Sequence, residues 1–397
     1  MVMPRRNRRR QLFIGGFCIL LVFLAWRMIR PMNIFVVSDE FALPMAMTEP
    51  PVGLDSLRAK DCGQCHAEIY REWSGSMHAK AWTDPYYQVD FAFDGSQQIC
   101  LNCHIPLRNQ QENLVKGLRD RDRFDPILEK NPEYDAGLQL EGVTCVVCHV
   151  RDGVIIGPYG NTDAPHPSRY DATMTSGFAV CYRCHVVSGK RWDTFYRIPP
   201  CGTVSEIREA EKGKTIDCIG CHMPKVDRPA VDGGYNRTGR RHLWLGGHDP
   251  ETVKKALQVD FKTVLPGNDG GMVSVTLTNI GADHFLPTGT PDRHLSVTFR
   301  LSDKLGAVIK EKSYRLKRFI MWRPFIVDLR DTRLVRNTPR NYNFTWKAES
   351  IPDGGNLTVS INYHLLDEGR RKRIGYRNTE PISYHLFQKK IELKPMR

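Results

Sequence analysis

The chain has 397 residues, 41% of them hydrophobic, enough for two modest domains or for one cofactor-packed domain with an appendage. Its formal charge of +13 is less telling than it looks, because five arginines (Arg5, Arg6, Arg8, Arg9, Arg10) precede the first apolar run. No helix-turn-helix, zinc-finger or aromatic RNA-binding pattern accompanies the charge, so nucleic acid is set aside as a partner.

Residues 1–10 read as a basic cytoplasmic segment. Residues 11–29 follow as an apolar run, within the roughly 17–25 residues that cross a bilayer as a helix. Trp26 suits the interface, and Arg27 near the far end can reach the headgroups. The five arginines should stay in the cytoplasm, so the expectation is a transmembrane signal anchor at 11–29 with everything beyond about residue 30 outside. That describes a single-pass protein of the inner (cytoplasmic) membrane, facing the periplasm. A cleaved signal peptide is the competing reading, but it needs a small-x-small site close behind the apolar core. Arg30–Glu40 offers none, and Ala46 is distant. Cys18 inside the run reads as an apolar filler. Residues 30–57, with Pro31, Pro44, Pro50 and Pro51, read as an extended linker.

Five copies of one pattern then fill about 160 residues: Cys62-Gly-Gln-Cys65-His66, Cys100-Leu-Asn-Cys103-His104, Cys145-Val-Val-Cys148-His149, Cys181-Tyr-Arg-Cys184-His185 and Cys218-Ile-Gly-Cys221-His222. Ten of the twelve cysteines belong to them; Cys18 and Cys201 remain. Cys-x-x-Cys-His is the attachment signature of haem c. Two thiols add to the two porphyrin vinyl groups, and the adjacent His is set beneath the iron as proximal ligand. Zinc sites do not require a His directly after the second Cys, and here it follows five times in five. Five haems would add up to ~10 propionate charges, which brings the global field near neutral. The motifs recur at a mean step of 39 residues but at unequal intervals, so this is repeated motif use rather than a solenoid.

Residues 58–250 are therefore expected to form a pentahaem domain, mostly helical or irregular, with porphyrin in place of much of its apolar core. Helical pieces are expected at Leu57–Ala59, Ala67–Ala79, Gln110–Leu118 and Val204–Lys212. Past Pro250 the period changes to two. Val273, Val275 and Leu277 alternate, as do Leu295, Val297 and Phe299, then Leu357, Val359, Ile361 and Tyr363, and finally Ile382, Tyr384 and Leu386. Seven or eight such segments predict an all-β, sandwich-like domain over 255–397, without the Cys-Trp-Cys core of antibody domains. The fold class is thus α + β and multidomain.

Eight histidines are left for the distal faces. A haem with two axial imidazoles is saturated and moves electrons; one with an empty sixth position binds small molecules. His78 lies in a helical stretch after the first motif. His166 is fixed between Pro165 and Pro167. His242 and His248 flank a Leu-Trp-Leu-Gly-Gly turn after the fifth motif. His284 precedes the Pro287-Thr-Gly turn of a β-domain loop, from which it would cap the haem cluster. These five are the expected distal ligands. His294, His364 and His385 fall in or beside strands and read as sheet residues. Met77 and Met174 are alternative ligands, although methionine is more often packing.

The five motifs, Trp73 with Ser76–Ala79, the Glu141-Gly-Val-Thr-Cys145 lead into the third motif and Pro165-His166 together resemble the cytochrome c554-like multihaem c family. The resemblance covers about residues 58–250. It implies that outlying histidines such as His78 and His166 are distal ligands and that closely stacked bis-histidine haems relay electrons. The better-known soluble members carry four haems; this chain has five, an anchor and a β-domain. The His284–Gly289 stretch resembles a loop of β-domains appended to other multihaem cytochromes.

The expected function is an anchored electron relay. A quinol-linked inner-membrane redox protein would donate, and a periplasmic or outer-membrane cytochrome would accept. No side chain is nominated as general acid or base. The enzymatic alternative is a pentahaem nitrite or hydroxylamine oxidoreductase with one open haem. The Cys-x-x-Cys-Lys motif usual in nitrite reductases is absent, and nothing singles out Tyr182 or Tyr196 as an active-site tyrosine. A subunit that docks a redox complex would differ in partner rather than in chemistry.

Overall fold

The computed structural model describes residues 5–29, 43–46, 49–119, 125–160, 164–176, 178–185, 203, 206–207, 217–267, 270–321 and 327–395. Tyr196, Cys201, residues 30–42 of the expected 30–57 linker and most of the Val204–Lys212 segment lie outside these residues.

Arg5–Ile29 is one helix. Its Arg9–Trp26 window is long and apolar enough to cross a membrane, with mean hydropathy 1.5. The haem motifs sit in much shorter helices. Gln98–His104, Cys145–His149, Phe178–His185 and Cys218–His222 each hold a whole motif, and Ala59–Gly63 holds the first cysteine of the first. The motif spacing explains this. Residues three apart share one face of a helical turn, so both thiols point to the same side and the His follows at the next step. The spacer residues turn the other way and pack inward, as Leu101, Val146, Val147 and Ile219 do.

Three of the expected helical pieces need correction. The segment expected at Leu57–Ala59 is helix from Ala59 to Gly63. The helix expected over Ala67–Ala79 ends at Ser74, before Gly75. Gln110–Leu118 is not helical beyond the short turn Arg108–Gln110; it is strand β1 (Asn113–Leu118), paired with β2 (Pro126–Lys130). Side-chain hydrogen bonds override propensity there. Gln110 is fully buried and donates to the carbonyls of Leu138 and Gly142, and Gln111 donates to Asn102 and to the Ile105 carbonyl. The haem-bearing part also holds more strand than expected: β3 (Val150–Arg151), β4 (Val154–Gly157), β5 (Ser168–Tyr170), β6 (Lys225–Pro229) and β7 (Asn236–Arg240).

Beyond Pro250 the chain is β, as the period-two runs require. Strands β8 (Leu257–Gly267), β9 (Gly270–Asn279) and β14 (Arg340–Lys347) form a sheet in the order β14-β9-β8. Strands β10 (His294–Asp303), β11 (Val308–Leu316), β15 (Gly355–His364) and β16 (Ser383–Leu393) form a second sheet in the order β11-β10-β15-β16. A hairpin of β12 (Arg318–Met321) and β13 (Val327–Asp331) stands apart. All these pairs are antiparallel. The alternating residues of β9, β10, β14 and β15 meet in one core, where the Phe299 and Phe344 rings stack at 5.5 Å across the two sheets. Phe299 is fully buried, so Phe299→Ala is expected to cost about 3–5 kcal/mol, read as a lowered denaturation midpoint of the β part.

Helix Glu368–Ile374 joins the β part to the haem part. Asp367 caps it by accepting from the Gly369 amide, and Lys317 lies 3.2 Å from the same carboxylate. Burial alone would raise the Asp367 carboxyl, but Lys317 and the Gly369 amide outweigh it and hold it below its usual value. Its stabilising contribution is thus complete above the unfolded-state range of a carboxyl and fades as pH falls through the lowered folded value. Asp367→Asn is expected to flatten the acid limb of the stability curve and to lower stability at pH 7 by about 1 kcal/mol, checked by denaturation between pH 3 and 7.

Candidate haem sites

One continuous cavity of about 3210 Å³ runs through the haem-bearing part and up to the edge of the β part. Single small-molecule pockets span about 300–1,000 Å³. All ten motif cysteines, all five motif histidines and all five expected distal histidines line it. Among the described residues no group of three or more His, Cys, Asp or Glu could hold a bare metal ion.

Thiols of different motifs meet in pairs: Cys62 with Cys145, Cys103 with Cys184, and Cys181 with Cys218. Cys148 and Cys184 also sense each other electrostatically. The third motif therefore lies next to the first and fourth. The fourth lies next to the second and fifth. Sequence order is not spatial order.

Four motif histidines face a second imidazole at nearly one distance. Ring centroids are 6.1 Å apart for His66 and His166, 6.3 Å for His185 and His78, 6.1 Å for His149 and His242, and 6.2 Å for His222 and His284. A metal–imidazole bond of about 2.0–2.1 Å, plus about 1.1 Å from nitrogen to ring centre on each side, sums to roughly 6.3 Å. Each gap is the width of one iron between two imidazoles. The outer nitrogens are tied back. Nδ1 meets the backbone carbonyl of Ala230 at His66, Ile156 at His149, Leu245 at His222, Arg240 at His242 and Phe285 at His284, at 2.6–3.1 Å. Such second contacts fix the ring and leave Nε2 for the metal. Burial holds the His78 imidazole down to about 3, and His242 and His284 to about 4. All three are neutral at pH 7, as a ligand must be. The residues fit the group: the thiols, paired imidazoles and cavity match bis-ligated haem c.

The partner imidazoles come from remote segments, each anchored locally. The Gly142 and Val143 backbone runs against the carbonyl of His78, which accepts from the Val143 amide at 2.9 Å. Gly142 has φ +59°, and a Cβ there would lie 2.6 Å from that carbonyl oxygen, so the approach requires glycine. Trp244 packs edge-on to both His78 and His242, with ring centres 4.6 and 5.4 Å away. Glu72 accepts from the His242 amide at 2.9 Å while gripping Arg228 with both oxygens and Arg241 with one. The Glu72 and Arg228 side chains are only 10% and 12% exposed. Glu72→Ala leaves Arg228 buried without its main partner and is expected to cost about 3–5 kcal/mol, checked by urea denaturation of the holoprotein.

The second motif differs. All thirteen histidines are among the described residues, and none stands across from His104 at the distance of the other four pairs. The His104 Nδ1 meets the Ala81 carbonyl at 2.7 Å, and the Tyr87 ring stacks on its face at 3.7 Å. His248, the fifth expected distal ligand, lines the same cavity, but its Nε2 lies 3.0 Å from the Arg293 guanidinium. Met77 and Met174 also line the cavity. His294 and His364 stack on each other at 4.2 Å on β10 and β15, within the sheet as expected.

Tyr87, Arg293, Glu72 and Trp244 were not singled out by sequence reasoning. For Trp244 a signal existed, since it sits between His242 and His248; for Arg293 and Glu72 none did, because their partners are 45 and about 170 residues away.

Residues 61–122 match the family model of cytochrome c554 and c-prime. No curated protein sequence matches the chain. A penta-haem cytochrome c552 from Thermochromatium tepidum has a similar fold, with TM-score 0.62 and 20% identity over 86% of this chain and all of that one. Structural genomics target SoR45 (12% identity, TM-score 0.18) and a β-glucosidase from Kluyveromyces marxianus (11%, 0.18) each align with 35% of this chain, covering 87% and 14% of their own. The matched stretch contains the first two attachment motifs and the cavity takes in all five, so the chain is a multihaem c-type cytochrome with five haem c groups, similar over residues 61–122 to cytochrome c554 and c-prime.

Proposed function

We propose that this cytochrome is an electron relay held at the outer face of the cytoplasmic membrane. In this reading residues 11–29 span the bilayer, residues 58–250 form the pentahaem domain and 255–397 a β-sandwich that caps it. The cores support the division: the largest lies within 253–393, two smaller ones lie within 45–244, and a fourth packs Leu366, Ile374 and Tyr376 against Tyr86 and Val89 at the junction. Covalent haem attachment outside the cytoplasm agrees with the five arginines at the N-terminal end of the helix, ahead of its apolar run. The donor is a quinol-linked membrane redox protein and the acceptor another cytochrome.

The observation that carries the relay is the set of four imidazole pairs one iron apart. His166, His78, His242 and His284 are the distal ligands at the first, fourth, third and fifth motifs. Saturated haems exchange electrons without binding substrate. The touching thiols support a path from the first motif through the third to the fourth, with branches to the second and fifth. His248 is the ligand assigned to the second haem, at the expense of its bond to Arg293.

A second reading rests on His104. If Arg293 keeps His248, the second haem has an open sixth position and the protein reduces or oxidises a small molecule there. EPR and resonance Raman spectra of the oxidised holoprotein, followed by carbon monoxide after reduction, separate the two. Five low-spin haems that ignore carbon monoxide support the relay. One high-spin haem that binds it supports the second reading, and His248→Ala would then leave the spectrum unchanged.

A further inference from the structure

The loop that carries His284 is held from two sides. On the β side, the Asn279 side chain donates to the His284 carbonyl at 2.9 Å, Leu286 and Leu334 exchange backbone hydrogen bonds at 2.9 Å, and Asp283 pairs with Arg336. These contacts fix the loop to its own sheet but not to the haem. The other side is a pair of charges. Arg333 Nη1 donates to Glu206 at 2.5 Å and to the Pro287 carbonyl at 3.3 Å, its guanidinium lies over the Phe285 ring at 5.1 Å, and Asp331 takes its remaining face at 2.7 Å. The second oxygen of Glu206 accepts from the Thr288 hydroxyl at 2.7 Å, which lies 3.0 Å from that of Thr203. The Glu206 and Arg333 side chains are 7% and 5% exposed.

Glu206 lies sixteen residues before His222, the motif histidine that faces His284. Through Arg333 and Thr288 this carboxylate reaches the loop whose His284 faces His222. Their rings stand 6.2 Å apart and within 13° of parallel. A buried charge pair costs desolvation and adds little net stability, so its value here is geometric. We infer that Glu206 and Arg333 form a latch that positions His284 over the fifth haem and so ties the β part to the redox chain. Neither residue lines the cavity; both act through the Pro287-Thr288 turn. The inference rests on the assignment of His284 as a distal ligand.

The test uses the full-length holoprotein with Glu206→Ala, Glu206→Gln and His284→Ala. Haem content is read by the pyridine haemochrome assay, and ligation by EPR and carbon monoxide binding. With five haems retained, Glu206→Ala is expected to alter the same low-spin signal that His284→Ala removes and to raise carbon monoxide binding at that haem at least five-fold over wild type. Glu206→Gln still accepts from Arg333 and is expected to restore most of the wild-type signal. The latch is overturned if Glu206→Ala leaves every signal in place, or alters a different one, while His284→Ala removes its own. If His284→Ala changes nothing, the ligand assignment fails and the latch with it. Should Glu206→Ala not accumulate, Thr288→Val removes one arm of the latch: a shift in the His284-dependent signal supports the inference, and an unchanged signal overturns it.

Discussion

Replacing His284 by alanine is expected to turn one of the five haems from six- to five-coordinate without loss of covalent haem. The reason is positional. His284 sits on a β-part loop, whereas Cys218, Cys221 and His222, the expected attachment thiols and motif ligand of the fifth haem, come from the haem-bearing part. The substitution removes one axial imidazole and leaves attachment intact. EPR would lose one low-spin signal and gain a high-spin one, and reduced protein would bind carbon monoxide at a single haem. His284→Met tests the same assignment in the other direction. It would keep six ligands but exchange an imidazole for a thioether, which raises the potential of that haem. A shift on the order of 0.1 V is expected, a modest part of the ~0.8 V range that axial ligands span. The other four midpoints should move much less, with the largest secondary change at the fourth haem, whose Cys181 touches Cys218. An unchanged redox titration in both variants would remove His284 from the ligand set.

What was legible in the sequence follows from the range of the interactions involved. The attachment motifs are purely local: thiols three residues apart and a histidine one step further need only one helical turn, so five sites could be read directly. The strands beyond Pro250 were legible for a similar reason, since a face buried against a core repeats every two residues. The one-iron spacing of His78 with His185, or of His166 with His66, joins segments about 100 residues apart, and no pattern announces which motif each outlying histidine serves. The misread Gln110–Leu118 segment shows the opposite limit. Its residues tolerate a helix, but the buried amides of Gln110 and Gln111 bond to carbonyls that come from elsewhere in the chain. The different environment of His104 was also out of reach. Five motifs and five candidate distal histidines match in number, and only the fold places Arg293, rather than a motif partner, against His248.

Loss of the haem at the third motif is expected to do more damage than loss of the one at the fifth. Cys148→Ala weakens attachment in the helix Cys145–His149, whose Val146 and Val147 are buried in the same small core as Leu57, Leu107, Leu138 and Val150. The haem there also borders those of the first and fourth motifs through Cys62 and Cys184. One haem fills on the order of a fifth of the 3210 Å³ cavity. At ~24 cal/mol per Å³ an unrelaxed void of that size would cost about 15 kcal/mol, as much as the whole stability of an ordinary domain, about 5–15 kcal/mol. Water and partial collapse recover some of this, but the remaining core is too small to supply the rest. Cys221→Ala is the comparison. Cys221 is exposed in the fifth motif, which neighbours one other motif through Cys181 rather than two. Each variant keeps one thiol, Cys145 or Cys218, so haem loss is partial in both; the expected outcome is that Cys148→Ala, where any lost haem opens a void shared with two neighbours, accumulates several-fold less than Cys221→Ala. Haem-stained gels and pyridine haemochrome yields would report both. Equal yields for the two variants would mean that each haem stabilises only its own segment, and that the five sites fold independently rather than around a shared porphyrin core.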